Sequence, residues 1–98
     1  MKTEELISLQ QFCTVHHITD SFVYSLNEFG LVEVITIEER SYLYREQIKD
    51  IEKMIRLHFE LNINFEGIDT ITSLLEKIES MQRELIIAKN RLRLYEEE

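Results

Sequence analysis

The chain has 98 residues, 11 Lys and Arg against 19 Asp and Glu, a net charge of −8, two glycines and no proline. A chain of that length forms one domain with a modest core, because it buries only about two thirds of the surface its unfolded form exposes. The negative charge argues against nucleic-acid binding, which depends on Lys and Arg meeting phosphates, and the single Cys13 excludes an internal disulfide and points to a reducing compartment.

No apolar run approaches the roughly 20 residues of a membrane span. The segment Met1-Lys2-Thr3-Glu4-Glu5 lacks the order of a secretion signal. The expected location is the cytoplasm.

Ser8 followed three residues later by Gln11 is the capping pattern of a helix start, and the first helix is predicted to run to about His16, with Leu9, Phe12 and Cys13 on its apolar face and Val15 beside it. Thr19 caps a second helix that stops at Gly30, its inward face formed by Val23, Leu26 and Gly30. Val32 to Ile37 is rich in β-branched residues and Tyr42-Leu43-Tyr44 resumes that pattern, which predicts a two-stranded wing. No glycine lies in Glu38-Glu39-Arg40-Ser41, so a longer loop is expected there in place of a two-residue turn. A third helix follows from about Glu46 to Leu61, with Ile48, Ile51, Ile55 and His58 or Phe59 on its core side. Asn62-Ile63-Asn64 breaks it, and Asn64 caps the next helix.

The last helix, Phe65 to about Tyr95, carries the strongest periodicity. Ile71, Leu74, Ile78, Met81, Leu85, Ala88, Leu92 and Tyr95 alternate spacings of three and four, the pattern of a coiled-coil seam. At 1.5 Å per residue such a helix is about 45 Å long, whereas a compact domain of this size has a radius of gyration of about 13 Å. The head cannot cover it, so the seam is expected to bury itself against a second copy, with Lys77, Glu84, Lys89, Arg91 and Glu96 on the rim. Both directions of pairing remain open. The organisation expected is a head over residues 1–63 and a dimerisation helix over 64–98.

Two helices, a wing and a third helix leading into a long dimerising helix resemble the MerR-type winged helix-turn-helix architecture. Leu9-x-x-Phe12-Cys13, Ile18-Thr19, Phe29-Gly30-Leu31-Val32, Arg56-Leu57-x-x-Glu60-Leu61 and Asn64-x-x-Gly67-Ile68 stand in the order of that family. The Phe12-Cys13 pair, Gly30-Leu31-Val32, Arg56-Leu57, Glu60-Leu61 and Gly67-Ile68 look like its chaperone-modulator branch, the CbpM-type proteins. The resemblance implies a mainly α fold with a winged head and a long C-terminal helix, and a protein that binds and inhibits a J-domain co-chaperone.

The chain departs from a MerR-type DNA reader where the chemistry lies. Such a reader presents arginines near the start and middle of its second helix, and here those positions hold Ser21 and Tyr24. Asp20, Tyr24 and Glu28 share one helical face, and the wing adds Glu33, Glu38 and Glu39 against Arg40. These seven residues, Asp20, Ser21, Tyr24, Glu28, Glu33, Glu38 and Glu39, form the candidate partner-binding set. Their sign suits a basic protein surface, and J-domains as a class carry a basic second helix. The competing class is a dimeric DNA-binding regulator using Arg40 and Arg45, and a third is a plain oligomerisation module. No catalytic set stands out: Glu66 with Asp69 and Glu76 with Glu79 read as solvated helix charge, and His58 as a half-buried structural histidine. His16 and His17 beside Cys13 lack further ligands at metal-site spacing, so neither metal nor cofactor is expected.

Overall fold

A helix leaves its first amides without internal partners, and this chain supplies them from side chains at the starts of three of its four described α-helices. In the computed structural model, which describes residues 5–96, Ser8 Oγ accepts the Gln11 amide at 3.4 Å, Thr19 Oγ1 accepts that of Phe22 at 3.3 Å, and Asn64 Oδ1 accepts that of Gly67 at 2.8 Å. Met1 to Glu4, with most of the segment read against a secretion signal, and Glu97-Glu98, the end of the predicted 64–98 unit, lie outside the described residues. The elements are β1 (Leu6–Ser8), α1 (Leu9–His16), α2 (Asp20–Glu28), β2 (Val34–Ile37), β3 (Arg40–Tyr44), a 3-10 turn (Arg45–Gln47), α3 (Ile48–Phe59) and α4 (Phe65–Glu96).

The wing differs from expectation in two ways. It has three strands in the order β1-β3-β2, both pairings antiparallel, with Leu6 opposite Tyr44 and Val34 opposite Leu43. A three-residue strand carries no readable alternation, and its partner lies far away in the chain. The second difference is the turn. Ile37 pairs with Arg40, so the connection is the two-residue loop Glu38-Glu39, and both residues take positive φ, 49° and 67°. That is the pattern of a type I′ turn, which matches the right-handed twist of the strands and so prevails without glycine. Its cost is borne by two side chains in a region that disfavours them.

Helix ends repeat one device. Gly30 adopts φ 74°, its amide bonding to Asn27 O and the next amide, of Leu31, to Leu26 O. His17 does the same after α1 at φ 56°. Gly30 is therefore exposed at a helix stop, and Phe22 takes its expected place on the inward face with Val23 and Leu26. The 3-10 turn takes over the predicted start of the third helix, whose core face uses Ile51 and Met54, with Ile48 and Ile55 packed at its margin. Phe59 is 55 % exposed, and half-buried His58 places Nδ1 2.9 Å from Ile63 O.

The core joins Leu9, Phe12 and Cys13 of α1 to the α2 face, Leu43, Ile51 and Ile68. His16 extends it, stacked on Phe12 with ring centroids 4.1 Å apart and bridging to Glu52 of α3 at 3.1 Å. Ile68 is the one fully buried residue of α4; Ile71 is half-buried, and from Leu74 on the large apolar side chains are exposed. The helix runs beyond the head: the Cα radius of gyration is 18.1 Å and the long dimension 61 Å. Among the described residues no helix is long and apolar enough to cross a membrane.

Replacing Glu38-Glu39 by Asn-Gly relieves the left-handed turn and should raise the unfolding free energy by about 1 kcal/mol. Gly30→Ala meets open space yet imposes a Cβ at φ 74°, and should lower it by about 1 kcal/mol. Urea unfolding midpoints at unchanged slope check both.

Candidate functional site

On α2 Asp20 and Tyr24 are one turn apart and share a face. The Tyr24 hydroxyl lies 2.7 Å from Ser41 Oγ on β3, which ties α2 to the wing. Between them lies a groove of about 480 Å3, lined by Ser8 to Gln11 at the start of α1, by Asp20 and Tyr24, and by Glu39 to Tyr42 of the hairpin. Its neutral lining donates and accepts hydrogen bonds through Ser8, Gln10, Gln11 and Ser41. Its charged lining is Asp20 and Glu39 against Arg40.

The sign of this surface follows from what does not neutralise it. Between described residues the ion pair is His16 with Glu52, and none joins the carboxylates of Asp20, Glu28, Glu33, Glu38 or Glu39 to a described cation. Asp20 acts inward as well. Burial first, then the hydrogen bond and charge of Asp20, push the Cys13 thiol up to about 12 from an ordinary 9.0. The thiol is held neutral under the groove. At the end of the central strand β3 the Tyr44 phenol is also pushed up, by desolvation and by Glu33, Glu46 and Glu5.

Of the seven predicted partner-binding residues, Asp20, Tyr24 and Glu39 line the groove. Ser21 stays at the cap, its hydroxyl 2.9 Å from Thr19 Oγ1, and Glu38 occupies the hairpin tip outside the lining. Glu28 lies at the far end of α2, exposed. Glu33 is clamped through its backbone, donating to Gln47 Oε1 at 2.8 Å and accepting from Gln47 Nε2 at 3.1 Å, with its side chain in solvent. Sequence reasoning missed Ser8, Gln10, Gln11, Ser41 and Tyr42. The α1 residues reach the groove only because β1 joins the sheet, and no local pattern announces that.

The second predicted surface is the seam. Leu74, Ile78, Met81, Leu85, Ala88, Leu92 and Tyr95 are all exposed along α4, and Ile71 is half-buried. Leu75, Ile86, Ile87 and Leu94 lie off that stripe and are exposed too, so the distal helix is apolar on more than one face.

A family model described as MerR HTH family regulatory protein matches residues 7–90. No curated protein and no solved structure matches the chain.

Because the folded state holds the Cys13 proton more tightly than the unfolded state, its contribution to stability is full below about pH 9 and is lost as pH rises toward 12. Unfolding free energy should fall there by up to about 1.4 kcal/mol per pH unit more than in Cys13→Ala, measured by urea titration at stepped pH.

Proposed function

The chain belongs to the MerR helix-turn-helix family of regulatory proteins, and from that premise we propose that its winged head holds a protein, not DNA, and acts by covering it. The observation that carries this reading is the sign of the groove: the helix positions where a reader of phosphate presents arginines hold Ser21 and Tyr24, while Asp20 and Glu39 line the groove and no described cation pairs with them. A DNA reader with 6–10 phosphate contacts owes several decades of affinity to those cations. Exposed Tyr24, anchored at its hydroxyl, supplies a rigid aromatic at the centre of the acidic lining, the kind of side chain on which protein interfaces depend.

The partner we propose is the J-domain of a co-chaperone. Two independent lines support it: the resemblance of Phe12-Cys13, Gly30-Leu31-Val32 and Gly67-Ile68 to the CbpM-type modulators, and the fit of an acidic groove to a basic partner helix. Bound there, the protein would block the J-domain from the chaperone ATPase it serves, by occlusion and without catalysis, in the cytoplasm. The seam of α4 supports a homodimer with two such heads.

The family favours a second reading, a dimeric transcriptional regulator, in which Arg40 at the groove and Arg45 after β3 would meet the DNA backbone.

Calorimetric titration with the J-domain of a co-resident co-chaperone should give saturable binding that weakens with salt. Asp20→Lys and Glu39→Lys should weaken it about tenfold or more, and Glu38→Lys, outside the groove, much less. Absence of heat at micromolar concentration overturns the J-domain reading. A discrete, competitor-resistant gel-shift complex on the protein's own promoter would replace it with the regulator.

A further inference from the structure

An antiparallel sheet with one face on the core normally turns polar residues outward. The strand register settles which face of the wing is which. Leu43 is fully buried, so Ile7 and Val34 opposite it face inward and pack on the core, while Leu6, Ile35, Ile37, Tyr42 and Tyr44 share the outer face. None of these five belongs to the core cluster. Ile37 is 43 % exposed and the other four are half-buried. The cross-strand pair of Ile35 with Tyr42 strengthens the hairpin. Ile37 stands opposite Arg40 and has no apolar partner across the strand.

Carboxylates gather at one end of this apolar face. Desolvation first, and then the charges of Glu33, Glu46 and Glu5, push the Tyr44 phenol up, which places all three glutamates around its ring. They are exposed, and no ion pair joins them to a described residue. A hollow of about 390 Å3 opens beside the ring, lined by Glu5, Tyr44, Arg45 and Glu46. Two carboxylates face one guanidinium in that lining, and Glu33 adds a third from the residue before β2. Glu33, which takes no part in the groove, thus has a place on a second surface.

We propose that the outer face of the wing docks a basic segment of a partner protein, with a Lys or Arg side chain in the hollow against the Tyr44 ring and aliphatic residues resting on Ile35 and Ile37. Charge complementarity selects this occupant. The three carboxylates repel phosphate, which excludes nucleic acid and anionic lipid, and a purely aliphatic segment leaves them unanswered. A Lys or Arg satisfies both halves of the surface, because its stem lies along apolar side chains while its charged head reaches the carboxylates and the face of the tyrosine. This surface is separate from the groove: Leu6, Ile35, Ile37, Tyr44 and the three glutamates take no part in the groove lining, and Tyr42 borders both. It therefore extends the groove reading without depending on it, and gives one head room for two basic segments.

The test follows amide and tyrosine-ring NMR signals of the full-length protein during titration with the capped peptide Lys-Thr-Val-Thr-Ile-Thr-Lys. When extended, this peptide places both lysines and both aliphatic residues on one side. A counterpart with Glu in place of each Lys is the control. Saturable shifts centred on Glu33, Ile35, Ile37 and Tyr44 with the Lys peptide, and none with the Glu peptide, support the proposal. Tyr44→Ser and Glu33→Gln should each weaken that binding about threefold or more, with unchanged signals of the core residues Leu9 and Ile51 reporting an intact fold. Asp20→Lys, in the groove, should leave it unchanged. Shifts confined to Asp20, Tyr24 and Glu39 overturn the second surface and leave the groove standing. Equal shifts with both peptides, or none up to about 5 mM, overturn it as well. Shifts of the outer face that grow with protein concentration in the absence of peptide assign it to a second copy and likewise overturn it.

Discussion

Strand β3 is hydrogen-bonded along both edges, and the candidate site depends on that arrangement. Leu43, the fourth of its five residues, has no exposed surface and pins the strand to the core. One edge holds β2 through the two-residue turn and brings Glu39 and Arg40 to the groove; the other holds β1 and swings Ser8 to Gln11 onto the opposite wall. The Tyr24–Ser41 hydrogen bond then ties α2 to the same strand. A two-stranded wing would leave the groove without one of its sides.

The carboxylates around that groove differ in what the backbone asks of them. Asp20 has a structural reason to be acidic, since the first turn of a helix stabilises a negative charge by about 0.3–1 kcal/mol, and it adds to the burial that pushes the Cys13 thiol up. Glu38 and Glu39 have the opposite circumstance. Their φ values favour Asn and Gly, so two charged side chains stand where the turn itself is better served by neither. Of the two turn residues, Glu39 lines the groove in spite of that preference and Glu38 stands outside it.

Elements whose causes are local were legible in the sequence. The caps at Ser8, Thr19 and Asn64, the stop at Gly30 and the three-four spacing from Ile71 to Tyr95 each express an interaction within a few residues, and each is observed as a hydrogen bond, a positive φ or an exposed stripe. What escaped depends on distance or on competition. β1 exists only through β3; the turn geometry is imposed by strand twist over the preference of glutamate; Met54 displaces Phe59 from the core because His58 and Phe59 turn toward the ring cluster at the foot of α4. For the site, the acidic face was legible as composition on one helix side. The groove that gathers three of its seven residues was not, because its other wall comes from a strand with no signature.

The sheet also imposes an order of assembly. β2 and β3 are joined by two residues and close over a short loop, whereas Leu6 must find Tyr44 across nearly the whole head, with a larger loss of chain entropy before any contact repays it. The hairpin can therefore form early and the N-terminal strand must arrive late. Since that last strand carries the α1 wall into position, a nascent or half-collapsed chain presents the acidic wing without the enclosure. The two walls of the groove thus stand together only once the N-terminal strand has joined the sheet.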